Sequence, residues 1–172
     1  MEYIRQYGEP EEIFANLYSE LYELCEANKW GDPFSYARSR EIYMANVLGH
    51  KIHPTYAGPD GHDSDGACEY KSTTGDEIKG TYNGISVQDT WEKQVEYLRE
   101  KKIGCYKWHY FARFQGGRID EMWKMSGEKV LELLLPKLEK QFKSEKKTKD
   151  PRLGAQLTSK MITTYGQKID IQ

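Results

Sequence analysis

Apolar positions recur at helical spacing near the start of the chain. Ile13, Leu17, Leu21, Leu24 and Cys25 follow Pro10 and predict an amphipathic helix that ends near Asn28, before the breaker WGDP. Ser39 stands where it can cap a second helix, REIYMANVLG, closed by Gly49. The period then changes. HKIHPTYAGPDGHDSDGACEYKSTT carries turn residues at GPDG and DSDG and predicts an antiparallel hairpin. Asp89, with Glu92 three positions on, makes a capping-box-like start for TWEKQVEYLREKK, whose Trp91, Val95 and Leu98 share a face. IGCYKWHYFARF, the turn at Gly116 and Gly117, and RIDEMWKM read as a second hairpin. Ser126 opens a helix with Val130, Leu134, Leu138 and Phe142 inward, which Pro136 should kink or split. AQLTSKMITTYGQKIDI closes the chain as two short β-like runs around Gly166. No internal repeat interrupts this order.

Helix, helix, hairpin, helix, hairpin, helix and strands predict one α/β (α+β) domain over residues 1–172, with a central mixed sheet flanked by helices. The acidic hairpin falls in the middle of that sheet. Mean hydropathy is −0.83, yet four Trp, thirteen Tyr and five Phe supply bulky core, so disorder is not expected over most of the length. No run of about 18 apolar residues exists, and MEYIRQYGEPEE has no apolar signal region. A protein that stays in the cytoplasm, without a membrane partner, is expected. Cys25, Cys68 and Cys105 are widely spaced with no CxxC pair, which suits a reducing compartment and small buried apolar roles.

The net charge of −2 conceals a division along the chain. Residues 101–172 carry sixteen bases against eight acids, whereas both earlier portions are acidic. That asymmetry suggests a basic surface for a polyanion, with a solvated lysine-rich helix face as the alternative.

Chemistry concentrates in GPDGHDSDGACEYKSTT, which holds Asp60, Asp63, Asp65, Glu69 and Lys71. A calcium loop with Gly66 at its sixth position would begin at Gly61 and end at Ser72, so it fails at both ends. A solvated turn explains Asp63, Ser64, Asp65 and Gly66 but not Glu69 and Lys71. In a strand those two share a face, and Asp60 can lie beside them across the hairpin. Two carboxylates and an ammonium on one patch suit phosphodiester hydrolysis: the acids hold a hard divalent cation, and the amine orients or deprotonates water and offsets transition-state charge.

Pro59-Asp60, then Glu69-Tyr70-Lys71 after a short hairpin, with a helix before and after and a β-rich ending, resembles the PD-(D/E)XK nuclease superfamily, and within it the small type II restriction endonucleases. KSTTGDEIKG continues the likeness with lysine-serine, an acid five positions beyond Lys71, and lysine-glycine at Lys79 and Gly80; the ending YGQKI adds to it. The resemblance covers about two thirds of the chain. It implies a restriction-endonuclease-like core and an Mg²⁺-dependent, site-specific deoxyribonuclease that leaves 5′-phosphate ends, with Mn²⁺ as a substitute. It also implies Asp60, Glu69 and the Tyr70 carbonyl as metal ligands, and Lys71 serving the water. Glu41, on the preceding helix, stands where several members keep an acid that reaches the metal's water; a surface glutamate near Arg38 and Arg40 is the other reading. The interval between the acids is one residue shorter than in similar enzymes, which keeps Asp63 open as an alternative to Asp60. Where such an enzyme reads bases with a run of histidines, this chain has GTYNGIS, implying a different target.

For double-stranded DNA, Lys79 offers a phosphate contact, and Tyr82, Asn83 and Ser86 lie in or just after the same strand-like run as candidates for base contact. Gln156, Thr158, Ser159, Lys160, Gln167 and Lys168 in the segment 145–172 stand at β spacing and could line a groove; exposed loop and polar edge strand are the alternatives. His62 reads as a turn or phosphate contact, and His50, His53 and His109 as structural. A homodimer would match a symmetric site, with Tyr18 and Tyr22 on the helix within 1–30 as the contact. A structure-selective or repair nuclease and a non-catalytic DNA-binding module are the rival functions.

Overall fold

Alternation along β3 (Gly66–Thr73) sends Cys68 and Tyr70 to one face of a sheet and Glu69 and Lys71 to the other. A computed structural model describes residues 8–144 and 152–171. Before β3 come α1 (Pro10–Ala27), α2 (Arg38–Leu48), β1 (Lys51–Ile52) and β2 (Gly61–Asp63). After it come β4 (Gly80–Ile85), α3 (Trp91–Tyr97), a π-helical turn (Leu98–Lys102), β5 (Trp108–Gln115) and β6 (Arg118–Ser126). The chain continues with α4 (Gly127–Phe142), β7 (Leu153–Leu157), α5 (Ser159–Tyr165) and β8 (Gln167–Lys168).

Six strands form a mixed sheet in the order β1-β2-β3-β5-β6-β8. Only β3 and β5 run parallel, in a register that sets Glu69 beside His109 and Lys71 beside Phe111. Parallel neighbours need a long crossover, and the segment carrying β4 and α3 supplies it. β4 pairs instead with β7 in a separate antiparallel ribbon. On one face Cys68, Tyr70, Tyr110, Ala112 and Met122 pack with Met44 and Ala45 of α2. On the other, Phe111 and Met125 pack with Val130, Leu134 and Leu138 of α4 and with Tyr82, Ile85 and Leu157 of the ribbon. The expected α+β architecture with a central mixed sheet is present.

Several local expectations are corrected. Ser39 does not cap α2: Ala37 holds that position, and the Ser39 hydroxyl donates to the Pro33 carbonyl. Thr90, not Asp89, caps α3, accepting from Lys93 N–H at 3.3 Å; Asp89 pairs with the Lys93 amine. α4 runs unbroken through Pro136, the apolar contacts of Val130, Leu134 and Leu138 holding both halves to the sheet. The closing segment is not two β runs, because Thr158 accepts from Met161 N–H and nucleates α5 between β7 and β8. Residues 145–151, part of the expected β-rich segment, lie outside the described residues. Cys25 and Cys68 are buried as expected, but Cys105 is exposed.

The largest departure concerns α1. Its stripe does not face inward: Leu17, Leu21 and Leu24 are each about half exposed, as are Tyr18 and Tyr22, and of the whole helix only Cys25 is buried. Phe34 stacks on Tyr18 with ring centroids 4.0 Å apart and extends the apolar face. Among the described residues no helix is long and apolar enough to cross a membrane.

Candidate active site

β2 pairs with β3 only as far as Gly61 opposite Cys68, so from Glu69 onward that edge of β3 has no strand partner among the described residues. Asp60 extends the ladder by one bond, its N–H donating to the Cys68 carbonyl at 3.1 Å. Its carboxylate then turns into the gap, where Oδ2 accepts the Tyr70 N–H at 2.7 Å. A strand residue projects its N–H and C=O to the same side. The Tyr70 carbonyl therefore opens onto this edge too, and Lys71 Nζ donates to it at 3.1 Å. The same ammonium is ion-paired with Glu69 Oε1, as strand alternation requires of side chains two positions apart. Asp60, Glu69, the Tyr70 carbonyl and Lys71 thus meet at one unpaired strand edge.

Tyr82 forms the floor. Its ring centroid lies 5.2 Å from Lys71 Nζ, a cation–π contact. Its hydroxyl donates to His109 Nδ1 at 2.8 Å, and His109 Nε2 lies 2.9 Å from the Ile103 carbonyl. A carbonyl only accepts, so Nε2 carries the proton and the imidazole is neutral. Burial holds the His109 pKa down at about 3.

Glu41 reaches the centre from α2. Burial and the Asp60 charge push its carboxyl up, opposed by Arg38, 3.3 Å away, and by Lys71. Arg38 is itself buried, its other nitrogens donating to the Trp30 and His53 carbonyls, so it ties the loop before α2 and the segment after β1 to Glu41. Asp60 is pushed up to about 6, first by burial and then by the like charge of Glu69. For Lys71, burial acts against the charged form, but Glu69, Asp60 and Glu41 outweigh it and raise the pKa. The amine is therefore an ammonium at neutral pH.

Asp63 is drawn elsewhere. It accepts from the Tyr110 hydroxyl at 2.9 Å and the Asp65 N–H at 2.7 Å, on the α2 side of the sheet. Asp65 in turn holds Lys107 at 2.8 Å and the Trp108 indole N–H at 2.7 Å. The four acids of the stretch thus divide, two fastening the hairpin turn to β5 and two meeting at the strand edge. Of the two acids open as the first carboxylate, the geometry groups Asp60 with Glu69 and Lys71. His50 shares the Tyr70 hydroxyl at 3.0 Å, and His62 is exposed.

The donor set is all oxygen: two carboxylates and a main-chain carbonyl. Among the described residues no cluster of three or more His, Cys, Asp or Glu side chains is gathered in metal-binding array. Lys71 already occupies two of the three acceptors as a cation, its amine reaching Glu69 Oε1 and the Tyr70 carbonyl. These residues fit a hard divalent cation.

The groups expected to touch DNA are spread over three surfaces. Lys79, Asn83 and Ser86 are exposed on or beside β4. Tyr82 is a correction: alternation along β4 turns it inward with Gly80, and an irregularity in the β4–β7 register between Tyr82 and Ile85 lets Ile85 be buried too, so Tyr82 lies beneath Lys71 and is not available to a base. Asn83 and Gln156 line an open hollow of about 530 Å³ with Thr81, Lys137 and Lys140. Thr158 caps α5, with Ser159 and Lys160 in its first turn rather than at β spacing. Gln167 and Lys168 pair with Lys124 and Trp123 at the opposite sheet edge, beyond β5 and β6 from the edge that holds Glu69 and Lys71. Arg38 beside Glu41 and His109 as a structural residue agree with the sequence reading, whereas sequence reasoning missed Lys137 and Lys140. The alternation of GTYNGIS sets Tyr82 out of phase with Thr81 and Asn83, but the pairing of β4 with β7 is what makes the Tyr82 face the buried one.

No family model matches the chain, and no curated protein matches it significantly.

Proposed function

We infer that the chain is a type II restriction endonuclease of the PD-(D/E)XK kind, an Mg²⁺-dependent deoxyribonuclease that hydrolyses phosphodiester bonds at a specific site and leaves 5′-phosphates. The observation that carries this reading is the meeting of Asp60, Glu69, the Tyr70 carbonyl and Lys71 at the unpaired edge of β3. A divalent cation held by Asp60, Glu69 and the Tyr70 carbonyl would supply Lewis acidity toward a phosphodiester oxygen and a more acidic water, with Mn²⁺ able to replace Mg²⁺. Lys71, charged at neutral pH, orients the attacking water and offsets the negative charge that builds on the phosphorus oxygens. Glu41, with its raised pKa, stands ready to exchange a proton with that water.

Asn83 and Gln156 present amide groups for base edges, and Lys79, Lys137 and Lys140 present ammonium groups for phosphates. Each chain holds one such centre, and cutting a duplex takes two. The exposed apolar face of α1, continued by Phe34, is where a second copy is proposed to dock.

Incubation of a plasmid with the protein and Mg²⁺ tests the reading. Discrete fragments with 5′-phosphate ends are expected, abolished by chelator and reduced at least about a hundredfold by Glu69→Ala or Lys71→Ala. Cleavage confined to junctions or flaps would favour a repair nuclease, and binding without cleavage a non-catalytic module. Unchanged cutting by both variants would show that the centre lies elsewhere.

A further inference from the structure

Arg40 stands one residue before Glu41 on α2, and its Nε donates at 2.8 Å to the hydroxyl of Ser72, the residue after Lys71 on β3. The other well-packed arginines commit all three nitrogens. Arg38 holds two carbonyls and Glu41, and Arg113 holds Asp120, Glu121 and the Asp76 carbonyl. Arg40 forms no ion pair among the described residues. It lines an open hollow of about 590 Å³ with Ser39, Tyr43, Thr74, Phe114 and the turn at Gly116 and Gly117, and no acidic residue lines that hollow.

A guanidinium pinned through Nε keeps its terminal amino groups as a planar fork that matches two oxygens of a phosphate. With no carboxylate facing it, its charge is directed at whatever enters the hollow. Ser72 follows Lys71 along the same unpaired strand edge. The Ser72 hydroxyl lies with Tyr70 on the α2 face, opposite Lys71, so a DNA strand that has its scissile phosphate at Lys71 and passes over this edge toward α2 would bring a neighbouring phosphate to Arg40. We propose that Arg40 grips a backbone phosphate adjacent to the one cleaved, through the fork left open by its bond to Ser72. This rests on the nuclease reading. It makes α2 a two-purpose element, Glu41 facing the reacting centre and Arg40 holding the strand in place.

The test compares wild type with Arg40→Gln, which keeps a donor toward Ser72, and with Arg40→Lys, which keeps the charge but not the fork. Binding to duplex DNA is measured by fluorescence anisotropy in chelator across a salt series, cleavage in Mg²⁺ under single-turnover conditions at saturating DNA, and folding by thermal melting. Arg40→Gln should weaken binding about tenfold and reduce the slope of log affinity against log salt by about one. Arg40→Lys should restore the slope but only part of the affinity. A purely structural role would lower the melting temperature without moving the slope, and an unchanged slope overturns the proposal. The nuclease reading fails separately: a wild type that binds but never cuts removes it, while the slope still reports on Arg40.

Discussion

The N–H of Tyr70 donates to Asp60 Oδ2 at 2.7 Å, so a single bond across the end of the β2–β3 ladder fixes the first acid of the centre. The same carboxyl carries a pKa of about 6, raised mainly by burial and then by Glu69. An acid whose folded pKa exceeds its unfolded value binds more protons when folded. Its favourable contribution is therefore complete below about pH 4 and is lost as pH rises through about 6. Asp60→Asn keeps an oxygen for the Tyr70 N–H but removes the charge. In chelator at about pH 8 this variant should melt above wild type, and the gap should vanish by about pH 4. Added Mg²⁺ should stabilise wild type more than the variant, and the variant should not cut. Equal melting at both pH values would contradict a strained carboxylate.

His109 has the opposite sign. Its neutral ring is fixed between the Tyr82 hydroxyl and the Ile103 carbonyl, and its pKa is held near about 3. Between about pH 6.5 and about 3 the unfolded chain takes up a proton that the folded one refuses. Stability should fall by about 1.4 kcal/mol per pH unit through that window as pH drops. His109→Gln should cost stability at neutral pH yet show a flatter acid limb in urea titrations. A limb as steep as that of wild type would place the acid sensitivity elsewhere.

Where period two governs, the site was legible: Glu69 and Lys71 share a face because strand alternation leaves no other choice, and Asp60 follows from the hairpin. Tyr82 was misplaced because β4 takes its partner from β7, far along the chain, and nothing local says which of its faces that ribbon buries. ITTY, with β-branched and aromatic residues, predicts strand, whereas the Thr158 cap sets the start of the helix α5 that forms there. The apolar stripe of α1 was visible, but a stripe does not say what it meets.

That exposed stripe makes its own prediction. Phe14, 70% exposed, and Leu17, Tyr18 and Leu21 form an exposed apolar patch, which a second copy docked there would bury. Wild type should sediment as a dimer and Leu21→Lys as a monomer. The monomer's stability should change by no more than about 0.5 kcal/mol, because the position is half exposed and a lysine stem can cover the same surface. A wild type that remains monomeric at every concentration would remove α1 as a dimer contact.

Tyr82 and Asn83 are adjacent in β4 but on opposite faces, so substitutions at the two test support and recognition separately. Tyr82→Phe deletes the donor to His109 Nδ1 and leaves a buried acceptor unmet, at a cost of about 1–3 kcal/mol. It keeps the ring under Lys71, so the set of sequences cut should be unchanged while the melting temperature falls. Asn83→Ala removes an exposed amide beside Gln156, Lys137 and Lys140 and should leave stability nearly intact. If that amide reads a base, discrimination at one position should relax by about 1–3 kcal/mol, seen as new fragments in a digest of long DNA. New fragments from Tyr82→Phe, with none from Asn83→Ala, would place recognition on the inner face of the ribbon.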